Sequence, residues 1–168
     1  MVAEGQVPED SPGELAGSRW QVLASADEGS WCWAFQVEDE PGGMRTYTPR
    51  EKEPPPDALI GVGYSREYAD TLVHGEASIE VQRVELRLDS GETIDAEMID
   101  PPSEMDIGSR YFVVYEASLV GPAELIAYDA EGAVVQKRTI NQHSSAGQVD
   151  PGEAAATDLE DGRHFGCG

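Results

Sequence analysis

The stretch RVELRLDSGETIDAEM, residues 83–98, decides the fold, because apolar and polar side chains alternate on both sides of one turn. Such alternation predicts two antiparallel strands with one buried face. A three-residue loop, Asp89 to Gly91, keeps the apolar side chains on a common face, whereas a shift by one residue would expose them. Gly91 then takes the left-handed position of a bulged hairpin. This register gives three cross-strand pairs: Leu86 with Ile94, Val84 with Ala96, and Arg83 with Glu97.

A second hairpin is predicted from AELIAYDAEGAVVQKRTI, residues 123–140. We expect a four-residue loop at 129–132, because it sets opposite charges face to face on the two strands. The resulting pairs are Ile126 with Val135 and Glu124 with Lys137.

The rest of the chain between residues 18 and 140 contains short apolar runs separated by Gly, Pro and Asp turns, with no sustained helical period. This pattern predicts an all-β fold, an antiparallel β-sandwich of immunoglobulin-like architecture with about eight or nine short strands. We expect residues 1–17 to form a flexible acidic lead-in and residues 18–140 to form the β-sandwich domain. We expect residues 141–168 to form a largely irregular tail pinned by Cys167.

The formal net charge is −22 over 168 residues. A charge of this sign repels nucleic acid and anionic membrane surfaces, so we expect neither as a partner. No apolar stretch approaches the roughly 20 residues that span a bilayer, so we expect no direct membrane insertion by this chain. Two interpretations of the acidity remain open: a surface that favours solubility, or a docking face for a cationic partner or divalent ions.

Motifs for catalysis are weak in this sequence. The triplet Asp89–Gly91 matches the DSG of aspartic proteases, but the hairpin accounts for it, and a second copy is missing. His74, His143 and His164 have no metal-ligand spacing, and a Cys32–His74 dyad has no local support. We therefore expect no enzyme activity, no cofactor and no metal site, with at most weak calcium binding by acidic loops.

Aromatic residues offer candidate binding surfaces. Trp31 and Trp33 share one face of a predicted strand, with Trp20 on the neighbouring strand, and we expect burial of this group. If exposed, such rings could stack on sugars. Tyr64 and Tyr68, in GYSREYAD, are better candidates for an exposed binding surface.

The two cysteines, Cys32 and Cys167, are the remaining constellation. Cys32 lies in a predicted core strand, where a free thiol would be an ordinary buried residue. Cys167 lies in a polar terminus, where a free thiol would be exposed and reactive. We therefore predict a Cys32–Cys167 disulfide, which implies an oxidising compartment.

Four segments carry a loose resemblance to known proteins: residues 20–37, 71–96, 110–118 and 123–135. Their shared features are a Trp-led first strand, a cysteine in the second, glycine-turn hairpins and the string AYDAEG. The chain resembles, over roughly residues 19–138, uncharacterised bacterial β-sandwich domains that often form the outer part of membrane-tethered proteins. The resemblance implies a β-sandwich and an extracytoplasmic setting, and it brings no catalytic residue.

We therefore predict a non-enzymatic extracytoplasmic binding or sensing module for a protein partner, at the cell surface or secreted. Two alternatives stay open. One is a carbohydrate- or calcium-binding β-sandwich module, and the other is a small hydrolase without a recognisable motif.

Overall fold

The computed structural model describes residues 1–10, 16–27, 30–40, 43–47, 57–67, 70–116 and 122–140. These residues form twelve β-strands and no helix, so the all-β prediction is confirmed, with more strands than the eight or nine expected. The strands are β1 (Ala3–Gln6), β2 (Arg19–Asp27), β3 (Ser30–Glu40), β4 (Gly43–Tyr47), β5 (Ile60–Glu67), β6 (Asp70–Ser78), β7 (Arg83–Arg87), β8 (Thr93–Asp95), β9 (Glu97–Ile99), β10 (Ser109–Glu116), β11 (Ala123–Tyr128) and β12 (Val134–Ile140). The described part of the chain contains no helix that could cross a membrane.

The strands form three four-stranded antiparallel sheets. The front sheet has the order β1-β2-β3-β4, the middle sheet β5-β6-β10-β9 and the back sheet β12-β11-β7-β8. After the front sheet, successive strand pairs alternate between the middle and the back sheet. Sandwich-like packing of antiparallel sheets thus agrees with the prediction. The immunoglobulin-like part is not confirmed, because that architecture has two sheets.

The middle sheet is buried on both faces, because side chains alternate along each of its strands. On β10, Phe112 and Val114 face a core shared with the back sheet. Tyr111 and Val113 face a second core shared with the front sheet. The three sheets are therefore stacked in layers, and the two cores differ in chemistry.

The first hairpin has the predicted register. Leu86 lies opposite Ile94, and the amide of Leu88 donates to the carbonyl of Glu92 at 2.8 Å, which closes the three-residue loop. Gly91 adopts a φ of 88°, as a bulged turn requires. The expected pairing of Arg83 with Glu97 is wrong, because β9 leaves the back sheet and pairs with β10.

The register predicted for the second hairpin is also wrong. Ile126 lies opposite Lys137, and a bulge separates this pair from the turn. The amide of Asp129 donates to the carbonyl of Ala133 at 3.0 Å, which leaves a three-residue loop. Gly132 ends that loop with a φ of 81°. The position of the glycine, and not the pairing of opposite charges, thus determines this turn. The turn has the same form as that of the first hairpin.

The N-terminal segment also differs from the prediction, because part of the expected flexible lead-in is a strand. Residues 3–6 form β1, which pairs with β2. Val7 is buried at 5% exposure in the core under the front sheet, and burial of this side chain favours an ordered segment. Residues 141–168, the predicted tail, lie outside the described residues.

Candidate functional site

The candidate site is a group of polar side chains on the face of the middle sheet that meets the front sheet. His74 and Glu76 lie two positions apart on β6, so they share a face. Tyr111 lies directly opposite Glu76 on β10, and Ser109 lies two positions before it on the same face. We call these four side chains the polar cluster. Polar groups in such a place need hydrogen-bond partners, because burial without one costs free energy.

One half of the polar cluster is a buried histidine–tyrosine pair. The hydroxyl of Tyr111 lies 2.6 Å from Nδ1 of His74, and both side chains are buried. The imidazole also stacks on Phe35, with ring centroids 5.8 Å apart. Burial lowers the pKa of His74 to about 4 from 6.5, so the ring is neutral at neutral pH. A neutral imidazole with its proton on Nε2 accepts the tyrosine hydrogen bond at Nδ1.

The other half joins two tryptophans to a carboxylate. Nε1 of Trp33 donates to Oγ of Ser109 at 2.9 Å. The Ser109 hydroxyl in turn donates to Oε2 of Glu76 at 3.4 Å. The side chain of Trp31 also hydrogen-bonds Glu76. Burial raises the pKa of Glu76, while the hydrogen bonds from Ser109 and Trp31 act in the opposite direction.

Trp31 is the member of this group that reaches solvent. Its exposed fraction is 39%, whereas Trp20 and Trp33 are buried at 4% and 1%. The prediction of burial is therefore confirmed for Trp20 and Trp33 and wrong for Trp31. The position follows from the strand end, because Trp31 is the second residue of β3 and lies where the sheet meets the surface.

Trp31 and Ile79 are exposed apolar residues that both lie beside Gly108. The Trp31 ring lies against Gly108, where an added Cβ would be 3.3 Å from the ring. The amide of Ile79 donates to the carbonyl of Gly108 at 3.2 Å, and Ile79 is 47% exposed. We call Trp31, Ile79 and Gly108, together with the neighbouring Glu76, the Trp31 patch. The indole packs on Gly108 and hydrogen-bonds Glu76, and these contacts restrict its rotation.

Basic side chains concentrate elsewhere, on the outer face of the back sheet. There Arg83 contacts Asp95 at 3.1 Å, and Arg87 contacts Glu124 at 3.6 Å. Lys137 contacts the same Glu124 carboxylate at 3.9 Å. These cations are neutralised locally and lie beyond the middle sheet from the Trp31 patch.

The predicted site residues are only partly described. Tyr64 lies on β5 opposite Val73, but its side chain and the whole of Tyr68 lie outside the described residues. Cys32 lies on β3, partly buried, and the described residues contain no free cysteine. Cys167 lies outside them, so the disulfide stays a prediction.

The polar cluster was missed by the sequence reasoning, which treated His74 as incidental. Its signal was a polar residue at alternate positions of otherwise apolar strands, as in VHGEA and SRYFV. Within the described ranges, no group of three or more His, Cys, Asp or Glu could hold a metal ion. The cluster is thus a hydrogen-bonded layer between sheets, with one exposed end at Trp31.

Comparisons of the chain with protein-family models, curated proteins and solved structures found no match.

Proposed function

We propose that this chain is a non-enzymatic extracytoplasmic binding module that docks a protein partner through the Trp31 patch. The observation that carries the proposal is the exposed indole of Trp31, held in place by Gly108 and Glu76. Tryptophan is enriched among the residues that contribute most to protein interfaces. A ring that is already fixed loses little conformational entropy on binding, so more of its contact energy appears as affinity.

The arrangement of the polar cluster supports binding over catalysis. A general base must reach the proton that it removes from a substrate. His74 is 2% exposed and contacts Tyr111 and Phe35. Glu76 accepts hydrogen bonds from Ser109 and Trp31. These groups therefore stabilise the interface between the front and middle sheets, next to Trp31. No observation among the described residues favours the hydrolase alternative.

The extracytoplasmic setting rests on the predicted Cys32–Cys167 bridge and on the resemblance described above. Its test is the intact mass without reduction, which should be two hydrogens below the all-thiol value. Two thiols that alkylate freely in the native protein would contradict the bridge and remove this support for an oxidising compartment.

The docking proposal is tested with matched surface variants. Immobilised protein first captures its partner from the cell-surface and secreted proteins of the organism that produces the chain. The purified partner is then titrated calorimetrically against each variant. Trp31→Ala should weaken binding by about tenfold or more. Val135→Ala, which truncates an equally exposed side chain on the back sheet, should change the affinity by less than about twofold. A partner that binds both variants as tightly as the wild type would overturn the proposal.

The carbohydrate and calcium alternatives have a test of their own. Thermal shift is measured with calcium chloride and with a panel of soluble glycans. A saturable rise in the melting temperature would identify a bound ligand, because binding to the folded state alone stabilises it. Such a rise would favour these alternatives over protein docking.

A further inference from the structure

We propose that the Trp31 patch recognises a cation, and that its occupant is a lysine or arginine side chain on a basic segment of the partner. This inference rests on the proposed function, since it names the chemistry of the same surface. Three features of the patch support it: an aromatic face, a set of polar atoms that can only accept hydrogen bonds, and the charge of the surroundings.

The aromatic face is that of Trp31. Among aromatic side chains tryptophan attracts cations most strongly, because its π-system presents a negative face to a charge within about 6 Å. The ring edge packs on Gly108 and the indole nitrogen bonds Glu76, so 39% of the side chain remains open. A ring beside a carboxylate lets one cation make a cation–π contact and an ion pair at the same time.

The described side-chain donors at the patch already bind acceptors. The indole N–H of Trp31 and the hydroxyl of Ser109 both bind the Glu76 carboxylate. The amide of Ile79 binds the carbonyl of Gly108. The acceptor side has capacity left, because an ionised carboxylate offers about four lone-pair sites. The described groups therefore match a ligand that only donates.

Lysine and arginine are such ligands, since an ammonium or guanidinium group donates and does not accept. A sugar hydroxyl, by contrast, both donates and accepts. The same carboxylate could hold one sugar hydroxyl, but the described side chains of the patch offer no second donor to complete its hydrogen bonding. The geometry thus favours a cationic side chain over a carbohydrate.

The electrostatic surroundings favour the same occupant. Exposed carboxylates flank the patch: Glu80 follows Ile79, and Glu104 and Asp106 lie in the segment that leads to Gly108. Arg110, two positions after Gly108 along the chain, contacts Asp100 at 2.5 Å and the carbonyl of Val81 at 3.1 Å. With a net charge of −22 on the chain, a basic segment is steered toward this surface and an acidic one is repelled.

Glu76 also links the site to pH. Burial raises its pKa, and a cation nearby would stabilise the ionised form and lower that pKa again. Since the ligand prefers the ionised carboxylate, its affinity should increase as the pH rises through the pKa of Glu76. This pH dependence is a second signature of the site, beyond affinity at a single pH.

The test uses a capped peptide, acetyl-Gly-Arg-Gly-Arg-Gly-amide, and its analogue with citrulline in place of arginine. Citrulline keeps the shape of the side chain and removes its charge. Both are titrated calorimetrically against the full chain at fixed ionic strength. A change in tryptophan fluorescence is a second signal, because Trp31 is exposed to the peptide while Trp20 and Trp33 are buried. The arginine peptide should bind saturably, and the citrulline peptide should bind about tenfold more weakly or not at all.

Variants separate a local site from general attraction to an acidic protein. Glu76→Gln and Glu131→Gln remove the same charge, one at the patch and one at the exposed turn of the second hairpin. Glu76→Gln should weaken peptide binding by about fivefold or more, and Glu131→Gln by less than about twofold. Trp31→Ala should abolish saturable binding. Trp31→Phe should retain part of the binding, and it replaces Trp31→Ala in the test if that variant does not fold. Circular dichroism and melting temperature verify the fold of each variant.

Equal weakening by Glu76→Gln and Glu131→Gln, or equal binding of the two peptides, would overturn the cation site. A partner that still requires Trp31 would then leave the docking proposal standing. Saturable binding of a neutral glycan that depends on Trp31 and Glu76 would overturn the cation site in favour of a sugar site. Loss of all dependence on Trp31, for peptide and partner alike, would overturn both proposals.

Discussion

The two faces of the middle sheet pack against their neighbouring sheets with different kinds of side chain. Toward the back sheet, the core is almost entirely aliphatic, and Phe112 is its largest member. Toward the front sheet, the core contains Trp20, Trp33, Phe35 and Tyr111 and adjoins the polar cluster. One sheet thus separates a core whose described members are all apolar from one that contains a histidine and borders a glutamate.

The difference shows what each interface requires. An aliphatic core needs the right volume at close packing, and many sequences provide it. A core with buried hydrogen bonds needs each donor to meet its acceptor, because an unpaired buried group costs free energy. The front interface is therefore the more specific of the two. It is also the one that ends in the exposed Trp31.

The largest effect should come from the aliphatic side. Phe112→Ala removes a fully buried ring at 0% exposure and should lower the free energy of unfolding by about 4 kcal/mol. Urea unfolding of both proteins at pH 7 and pH 5 measures this. Since the described side chains of that core are apolar, the difference between variant and wild type should be the same at both pH values.

Leu125→Ala provides the milder control, with an expected loss of about 3 kcal/mol at the same interface. A destabilisation by Phe112→Ala that grows markedly at pH 5 would contradict the separation of the two cores, because it would couple the aliphatic face to the titrating one.

The second largest effect should be an acid-dependent loss at the front interface. Burial lowers the pKa of His74 to about 4 from 6.5. Between these values the unfolded chain binds a proton that the folded chain does not, so stability falls as the pH drops through this window, by about 3 kcal/mol in total. Glu76 on the same face acts in the opposite sense, because its raised pKa favours its protonated form in the folded state.

The variant His74→Gln separates the contribution of His74 from the titration of the many carboxylates of this acidic chain. Glutamine keeps a hydrogen-bonding group near Tyr111 and does not titrate. The stability difference between wild type and variant should shrink by about 3 kcal/mol from pH 7 to pH 4 in urea unfolding. A difference that stays constant over that range would show that His74 has the same pKa in the folded and unfolded states.

The fold could be predicted where the pattern was local. Alternation in residues 83–98 and a glycine at the turn were enough to obtain the first register, including Leu86 opposite Ile94. The second register failed because cross-strand charges were given more weight than the glycine position, although Gly132 and Gly91 form the same turn. The third sheet could not be foreseen, since period-2 patterns do not say which sheets the two faces of a strand meet.

The site was less accessible to sequence reasoning than the fold. Tyr111 and His74 are separated by 37 positions, and the pairing of β6 with β10 brings them together. Trp33 and Ser109 are separated by 76 positions, and the stacking of the front sheet on the middle sheet brings them together. No local spacing marks such contacts. The burial of Trp20 and Trp33 was predictable from their apolar area, whereas the exposure of Trp31 depends on where β3 ends at the surface.

A smaller effect should follow from removing one hydroxyl of the polar cluster. Ser109→Ala deprives Trp33 of its acceptor and Glu76 of one donor. A buried donor left without a partner costs about 1–2 kcal/mol, and we expect that loss in urea unfolding at pH 7.

Ser90→Ala is the matched control. Its hydroxyl accepts from the amide of Glu92 at 3.3 Å in an exposed turn, where water can replace it. The change in stability should stay below about 0.5 kcal/mol. Equal effects of the two substitutions would mean that the bond between Trp33 and Ser109 contributes nothing beyond a surface contact.

The smallest effect, and the one that connects stability to function, should come from Glu76→Gln. Glutamine still accepts from Ser109 and Trp31 but carries no charge to be desolvated. Because the pKa of Glu76 is raised in the folded state, its ionisation removes stability as the pH rises through that pKa. The variant should therefore gain stability relative to wild type at pH 8 compared with pH 4.

Thermal unfolding at pH 4 and pH 8 measures this difference, with Glu92→Gln on the exposed first turn as the charge-matched control. A pH-independent effect of Glu76→Gln would contradict the pKa shift. If instead Glu76→Gln stabilises the domain at pH 8 and weakens binding of the arginine peptide, then the chain keeps a carboxylate that costs it stability. Selection for binding at the Trp31 patch would account for that cost, since the described core on the other face of the middle sheet is packed from apolar side chains alone.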